Sequence, residues 1–179
     1  HNDAQVHVHS PYKSVVDFIQ NVISSFVANA PQDTLLVIKH HPMDRGYHDY
    51  TDAIRQLGIA YNAPDRILYI HDQHLPTLLQ HATGVVLINS TVGLSALHHG
   101  VPLKVCGKAI YDLQGLTYQG SVDDFWVGAS SHTINPVLYH NFVSYLVGMT
   151  QVNGSFYRKL ALAPNKTGII WNVGLDKAA

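Results

Sequence analysis

Val85-Val86-Leu87-Ile88-Asn89-Ser90-Thr91-Val92-Gly93-Leu94-Ser95-Ala96-Leu97-His98-His99-Gly100-Val101-Pro102-Leu103-Lys104-Val105-Cys106 decides the fold class. Val85–Ile88 is a short apolar run, as a strand buried on both faces is. Thr91–His98 follows with helical character, and Ser90 stands where an N-cap belongs. Gly100-Val101-Pro102 turns the chain into a second apolar run, Leu103–Cys106. Strand, helix and strand joined by such short connections form a parallel sheet covered by helices.

The same alternation extends toward the N-terminus. Ile67–Ile70 reads as a strand, and Leu75–His81 as a short helix that tolerates Pro76 in its first turn. Thr34–Ile38 reads as a buried strand. Tyr50, Ile54 and Leu57 give a helical period with Gly58 as its stop. Val15, Val16, Phe18, Ile19, Val22, Ile23, Phe26 and Val27 line one helix that ends before Pro31. Gln5-Val6-His7-Val8-His9 alternates polar and apolar and reads as a first strand before the Ser10-Pro11 turn. Five strands in this pattern predict an α/β, Rossmann-like, doubly wound parallel sheet. Beyond it, residues 107–132 read as irregular and Pro136–Met149 as a helix. Residues 1–179 are taken as one domain, with a peripheral tail after about residue 157.

Composition narrows the function. The chain has 179 residues, 46% hydrophobic and 13% charged, which excludes a disordered segment. Eleven Lys and Arg against twelve acids, every one of them Asp, give a net charge of −1. Such a balance argues against nucleic acid as a partner, because that binding depends on neutralising phosphates. The one cysteine, Cys106, lies in an apolar run and reads as a buried, inert thiol, in keeping with a reducing compartment. No stretch is long enough for a membrane span, and no signal peptide is evident. The chain begins at His1 rather than Met, which reads as a processed product or an excised piece of a longer protein.

In an open parallel sheet, ligands bind beyond the carboxyl ends of the strands. Here those ends are polar: His9-Ser10-Pro11, Lys39-His40-His41-Pro42-Met43-Asp44-Arg45-Gly46, His71-Asp72-Gln73-His74, and Asn89-Ser90-Thr91-Val92-Gly93. The last is the best phosphate candidate, since backbone N–H groups and two hydroxyls meet at a strand-to-helix turn. On position alone, a plain cap at Ser90 and close packing at Gly93 explain it equally well. Lys39, Arg45 and two imidazoles in one loop suit a phosphate or carboxylate. A solvated turn is the simpler account of that loop by itself, and the neighbouring anion candidate shifts the balance.

Thirteen His residues invite a metal reading, with His40, His41, His48, His71 and His74 as possible ligands. Against it, the helical His-Glu-x-x-His pattern is absent, and His98-His99 is explained by a helix end. There is no Walker loop, no Gly-x-Gly-x-x-Gly and no Gly-x-Ser-x-Gly elbow. Core packing is the simpler account of both Tyr111 and Trp126.

Three ordered blocks carry a family resemblance: Lys39–Gly46, Tyr69–Leu79 and Ile88–Leu97. Ala109-Ile110-Tyr111-Asp112-Leu113-Gln114-Gly115-Leu116-Thr117 and Asp123-Asp124-Phe125-Trp126 extend it. The chain from about His9 to Tyr157 resembles the capsule polysaccharide biosynthesis/export proteins of the KpsS and LipB type. That resemblance implies a retaining β-Kdo glycosyltransferase of Gram-negative capsule biosynthesis. It implies CMP-Kdo as the donor substrate, no cofactor and no metal, and a phosphatidylglycerol-type lipid acceptor. The implied fold is GT-B, of which this chain resembles the C-terminal, nucleotide-binding half. The implied place is the cytoplasm, peripheral at the inner membrane beside the export machinery.

The family's His-Pro motif falls on His41 and Pro42, with His41 as the catalytic candidate. Its phosphate-binding Ser/Thr falls on Ser90 and Thr91. Lys39, Arg45 and Asn89 join the phosphate site, and Asp72, Gln73 and His74 lie near the cytidine. No Asp-x-Asp occurs, so departure of CMP without a metal is the implied mechanism. The family's carboxylate nucleophile and acceptor groove belong to the N-terminal half, so this chain alone is expected to bind nucleotide without turnover. The alternative is a non-catalytic nucleotide-sugar or polysaccharide-binding module of capsule export.

Overall fold

The structure is a computed structural model, and it describes residues 4–155 and 166–168. The chain divides into two compact units, residues 1–139 and 140–179. The first unit is α/β. Its elements run α1 (Ala4–His7), α2 (Val15–Asn29), β1 (Leu36–Lys39), α3 (Thr51–Ala60), β2 (Ile67–Ile70), α4 (Leu75–His81), β3 (Val85–Leu87), α5 (Val92–His98), β4 (Leu103–Val105) and α6 (Val122–Gly128). Single 3₁₀ turns lie at Pro42–Asp44, Pro64–Arg66 and Ala129–Ser131. α7 (Pro136–Thr150) starts in the first unit and ends in the second, where the Lys166 N–H donates to the Asn153 carbonyl at 2.7 Å. The expected tail after residue 157 falls mostly on residues outside those described.

Among the described residues all strand pairing is parallel, as the strand–helix–strand reading requires. β1 pairs with β2 from Leu36↔Ile67 to Lys39↔Ile70, and β3 pairs with β4 from Val85↔Leu103 to Leu87↔Val105. The expectation of one five-stranded sheet is not met. The described strands number four, in two two-stranded sheets. The missing strand is Gln5–His9, which holds the one-turn helix α1 instead. The reason lies in its two valines: Val6 is buried, whereas Val8 is 65% exposed, so a strand face would gain little here. The Ser10 hydroxyl donates to the Val6 carbonyl at 2.6 Å and closes the turn. The His9 carbonyl reaches the chain leaving β4, accepting the Lys108 N–H at 2.7 Å.

The apolar stripe of α2 was legible and buries Ile19, Val22, Ile23 and Phe26. Ile19 and Ile23 pack with Tyr50 and Ile54, and Leu36, Ile38, Ile67 and Tyr69 close this cluster from the sheet side. Arg66 covers Phe26, its guanidinium 4.6 Å above the ring and its Nη2 donating to the Pro31 carbonyl at 2.7 Å. Gly58 does not stop α3. The helix runs on to Ala60 and turns at Asn62, whose φ is +53°. The stretch read as irregular contains α6. Ser121 caps it by accepting the Asp124 N–H at 3.1 Å, and Asp123 and Asp124 sit in the first turn. Phe125 is buried, and Trp126 packs edge-on against Phe26 at 5.2 Å while donating to the Ser25 hydroxyl at 2.8 Å. Trp126 is therefore a packing residue of the first unit. Among the described residues, no helix is long and apolar enough to cross a membrane.

Candidate functional site

The register of β1 and β2 brings together the first group of expected site residues. Lys39 pairs with Ile70, so both strands end level and the loops that follow run side by side. The His40 N–H donates to the Ile70 carbonyl at 2.7 Å, which carries the pairing one residue further. Lys39 Nζ donates to the His71 carbonyl at 3.0 Å. Arg45 forms an ion pair with Asp72 across the two loops, both side chains well exposed. Pro42–Asp44 is the 3₁₀ turn that places Arg45, whose N–H donates to the Pro42 carbonyl at 3.3 Å. His41 and Pro42 are exposed at the start of that turn, and the His41 carbonyl accepts the Asp44 N–H at 3.0 Å. Gln73 is exposed, and His74 precedes α4 with its Nδ1 bonded to the Thr77 hydroxyl at 3.0 Å.

Behind these loops lies a polar layer that sequence reasoning missed. His40 is 5% exposed, with Nδ1 bonded to the Tyr69 hydroxyl and its ring stacked 4.6 Å from His71. Its Nε2 is buried without a hydrogen-bond partner. Burial lowers its basicity, and the neighbouring His71 lowers it further, against the pull of Asp44 and Asp49. Asp44 is 1% exposed and accepts the Tyr50 hydroxyl at 3.1 Å. Burial and then Asp44 push the Tyr50 phenol up to about 12. His40 is thus a neutral, interior imidazole, and the exposed members of the site are its neighbours. Only Tyr69, one residue before the end of an apolar strand, hinted at this layer in the sequence.

The other polar strand end is the turn between β3 and α5, which belongs to the second two-stranded sheet. Asn89 and Ser90 are half-buried and Thr91 is exposed. Thr91, not Ser90, is the N-cap position of α5, and it has no side-chain cap bond. The Ser90 hydroxyl nevertheless accepts the Val92 N–H at 3.3 Å, so it caps from one residue back. Gly93 permits a close approach: a Cβ there would stand 2.5 Å from the Tyr111 ring. The structure therefore gives Ser90 its capping role and Gly93 its packing role, and leaves Thr91 exposed. Among the described residues, no group of three or more His, Cys or Asp is placed to hold a metal ion. Cys106 is half-buried rather than fully interior, and its partial burial pushes the thiol up.

Comparison with known proteins gives one family. The family model described as "Capsule polysaccharide biosynthesis protein" matches residues 1–157. The chain is 48% identical over 157 residues to the capsule polysaccharide export protein KpsS of Escherichia coli, covering 88% of this chain and 40% of that protein. It is 43% identical over 169 residues to the capsule polysaccharide modification protein LipB of Neisseria meningitidis serogroup B, covering 93% of this chain and 39% of LipB. Protein FixF of Sinorhizobium fredii is 30% identical over 122 residues, 67% of this chain and 27% of FixF. The chain thus spans about two-fifths of the length of KpsS and LipB. No solved structure matches the chain at a significant level.

Proposed function

Because this chain belongs to the capsule polysaccharide biosynthesis protein family, we propose that it is the donor-binding part of a capsular polysaccharide glycosyltransferase. In this reading the complete enzyme transfers Kdo from CMP-Kdo, with retention, to a phosphatidylglycerol-type lipid. The chain is the Rossmann-like, C-terminal half of a GT-B fold, at work in the cytoplasm and peripheral at the inner membrane. The observation that supports the reading is the level ending of β1 and β2, where Lys39 reaches the His71 carbonyl and Arg45 pairs with Asp72 across the two loops.

The chemistry asked of these residues is modest. As the glycosidic bond breaks, CMP leaves with growing negative charge on its phosphate. Cations and oriented donors held near that charge lower the barrier. Lys39 spends one of its three donors on the His71 carbonyl and keeps the others for a ligand. The Arg45–Asp72 pair is solvent-exposed and worth about 0–1 kcal/mol, so a phosphate competes with Asp72 for the guanidinium. His41, exposed at its turn, serves as a hydrogen-bond donor or general acid toward the phosphate. Ser90 and Thr91 offer hydroxyls from the second turn, and Asn89 an amide. No step asks for a metal.

Titration of the protein with CMP tests this. His41→Ala is expected to weaken CMP binding by about 1–3 kcal/mol, the cost of a charge-assisted hydrogen bond. His132→Ala, whose ring packs near Tyr118, is expected to leave affinity unchanged. Equal affinity of wild type and His41→Ala removes His41 from the site. The second reading is a non-catalytic binding module of capsule export, favoured by the word "export" in the description of KpsS. Transfer of Kdo by a protein of the relatives' full length decides between them.

A further inference from the structure

Ala109–Thr117 supplies nothing to the donor site as described, yet one of its side chains is built into that site's wall. Tyr111 is 2% exposed, and its O–H donates to the Ser90 carbonyl. Its ring lies over Gly93 so closely that an added Cβ would come within 2.5 Å of Cε2 and Cζ and 2.6 Å of the hydroxyl oxygen. The Ser90 carbonyl also accepts the Gly93 N–H at 2.9 Å, so two donors converge on it. The segment bearing Tyr111 is itself anchored. The fully buried Thr117 hydroxyl donates to the Asp112 carboxylate at 2.6 Å, Gln119 Nε2 donates to the Thr117 hydroxyl at 2.8 Å, and the Tyr118 N–H donates to the Leu103 carbonyl of β4 at 2.8 Å.

We propose that Tyr111 is a positioning residue that pins the Asn89–Gly93 turn through the Ser90 carbonyl and the face of Gly93. The pin holds the Ser90 and Thr91 donors in one arrangement, so that a ligand's phosphate meets them preorganised rather than having to order them. The identity of that ligand rests on the proposed function; the pin itself does not.

Two measurements separate the two claims. The first is amide hydrogen exchange on wild type, Tyr111→Phe and Gly93→Ala. Tyr111→Phe keeps the ring and loses the donor, and exchange at residues 90–94 is expected to quicken about fivefold, with Val22–Phe26 of α2 unchanged. Gly93→Ala displaces the ring and is expected to quicken the same amides, and the double variant to add less than the sum of the two. Unchanged exchange at residues 90–94 in Tyr111→Phe overturns the pin. The second is CMP titration of the same proteins, in which Tyr111→Phe is expected to bind about fivefold more weakly at equal folded fraction. Quickened exchange with unaltered CMP affinity reduces Tyr111 to a packing residue and overturns the positioning role. If wild type itself binds no CMP, the donor reading fails, and the exchange comparison still decides the pin.

Discussion

At the scale of the residue, the site is a contrast between an exposed rim and a buried floor. Lys39, His41, Arg45 and Asp72 stand at the rim of the β1 and β2 loops, while His40, Asp44, Tyr50 and Tyr69 form the floor beneath the first loop. The exposure of the rim residues was legible, because polar residues that follow an apolar strand fall in a connection at the surface. The floor was not. His40 and His41 are adjacent and chemically identical, and only the fold buries one and exposes the other. Burial followed by the influence of His71 holds the His40 imidazole below its ordinary 6.5. The unfolded chain therefore binds a proton more readily than the folded one, and stability is lost as pH falls below about 6.5. Denaturant midpoints at pH 7.5 and pH 5.5 are expected to show this loss, and His40→Gln to flatten the slope between them. An undiminished slope in His40→Gln assigns the pH dependence to other groups.

At the scale of the element, β2 and α4 lie where the pattern put them, because apolar runs bounded by polar loops leave little choice of register. α1 and α6 were misread for opposite reasons. Alternation over five residues suggested a strand at Gln5–His9, but alternation commits a chain to a strand only when a neighbour covers the apolar face, and Val8 is left uncovered. α6 is only seven residues long, too short for a helical period to declare itself among the glycines around it. Its signal was the cap, Ser121 followed by Asp123 and Asp124. Ser121→Ala is expected to cost about 1 kcal/mol in equilibrium denaturation. Gly84→Ala is expected to cost more, about 1–3 kcal/mol. Its new Cβ would stand 2.8 Å from Cζ of Phe125, which is 1% exposed and cannot yield. A Gly84→Ala protein as stable as wild type contradicts the packing of α6 against the start of β3.

At the scale of the whole molecule, the parallel strand–helix–strand plan was readable, and the count and joining of strands were not. Periodicity reports which face of a segment is apolar; it does not report which strands share hydrogen bonds. Family membership rests on residues 1–157, and these include both polar rims and the Tyr111 segment. The proposed donor role makes the nucleotide, rather than a metal, the ligand that matters. The most direct test is calorimetric titration of this chain with CMP, against UDP, with and without EDTA. The account predicts that CMP binds in preference to UDP and that EDTA changes nothing. CMP binding abolished by EDTA, UDP bound as tightly as CMP, or no CMP binding by either this chain or a protein of the relatives' full length would contradict it.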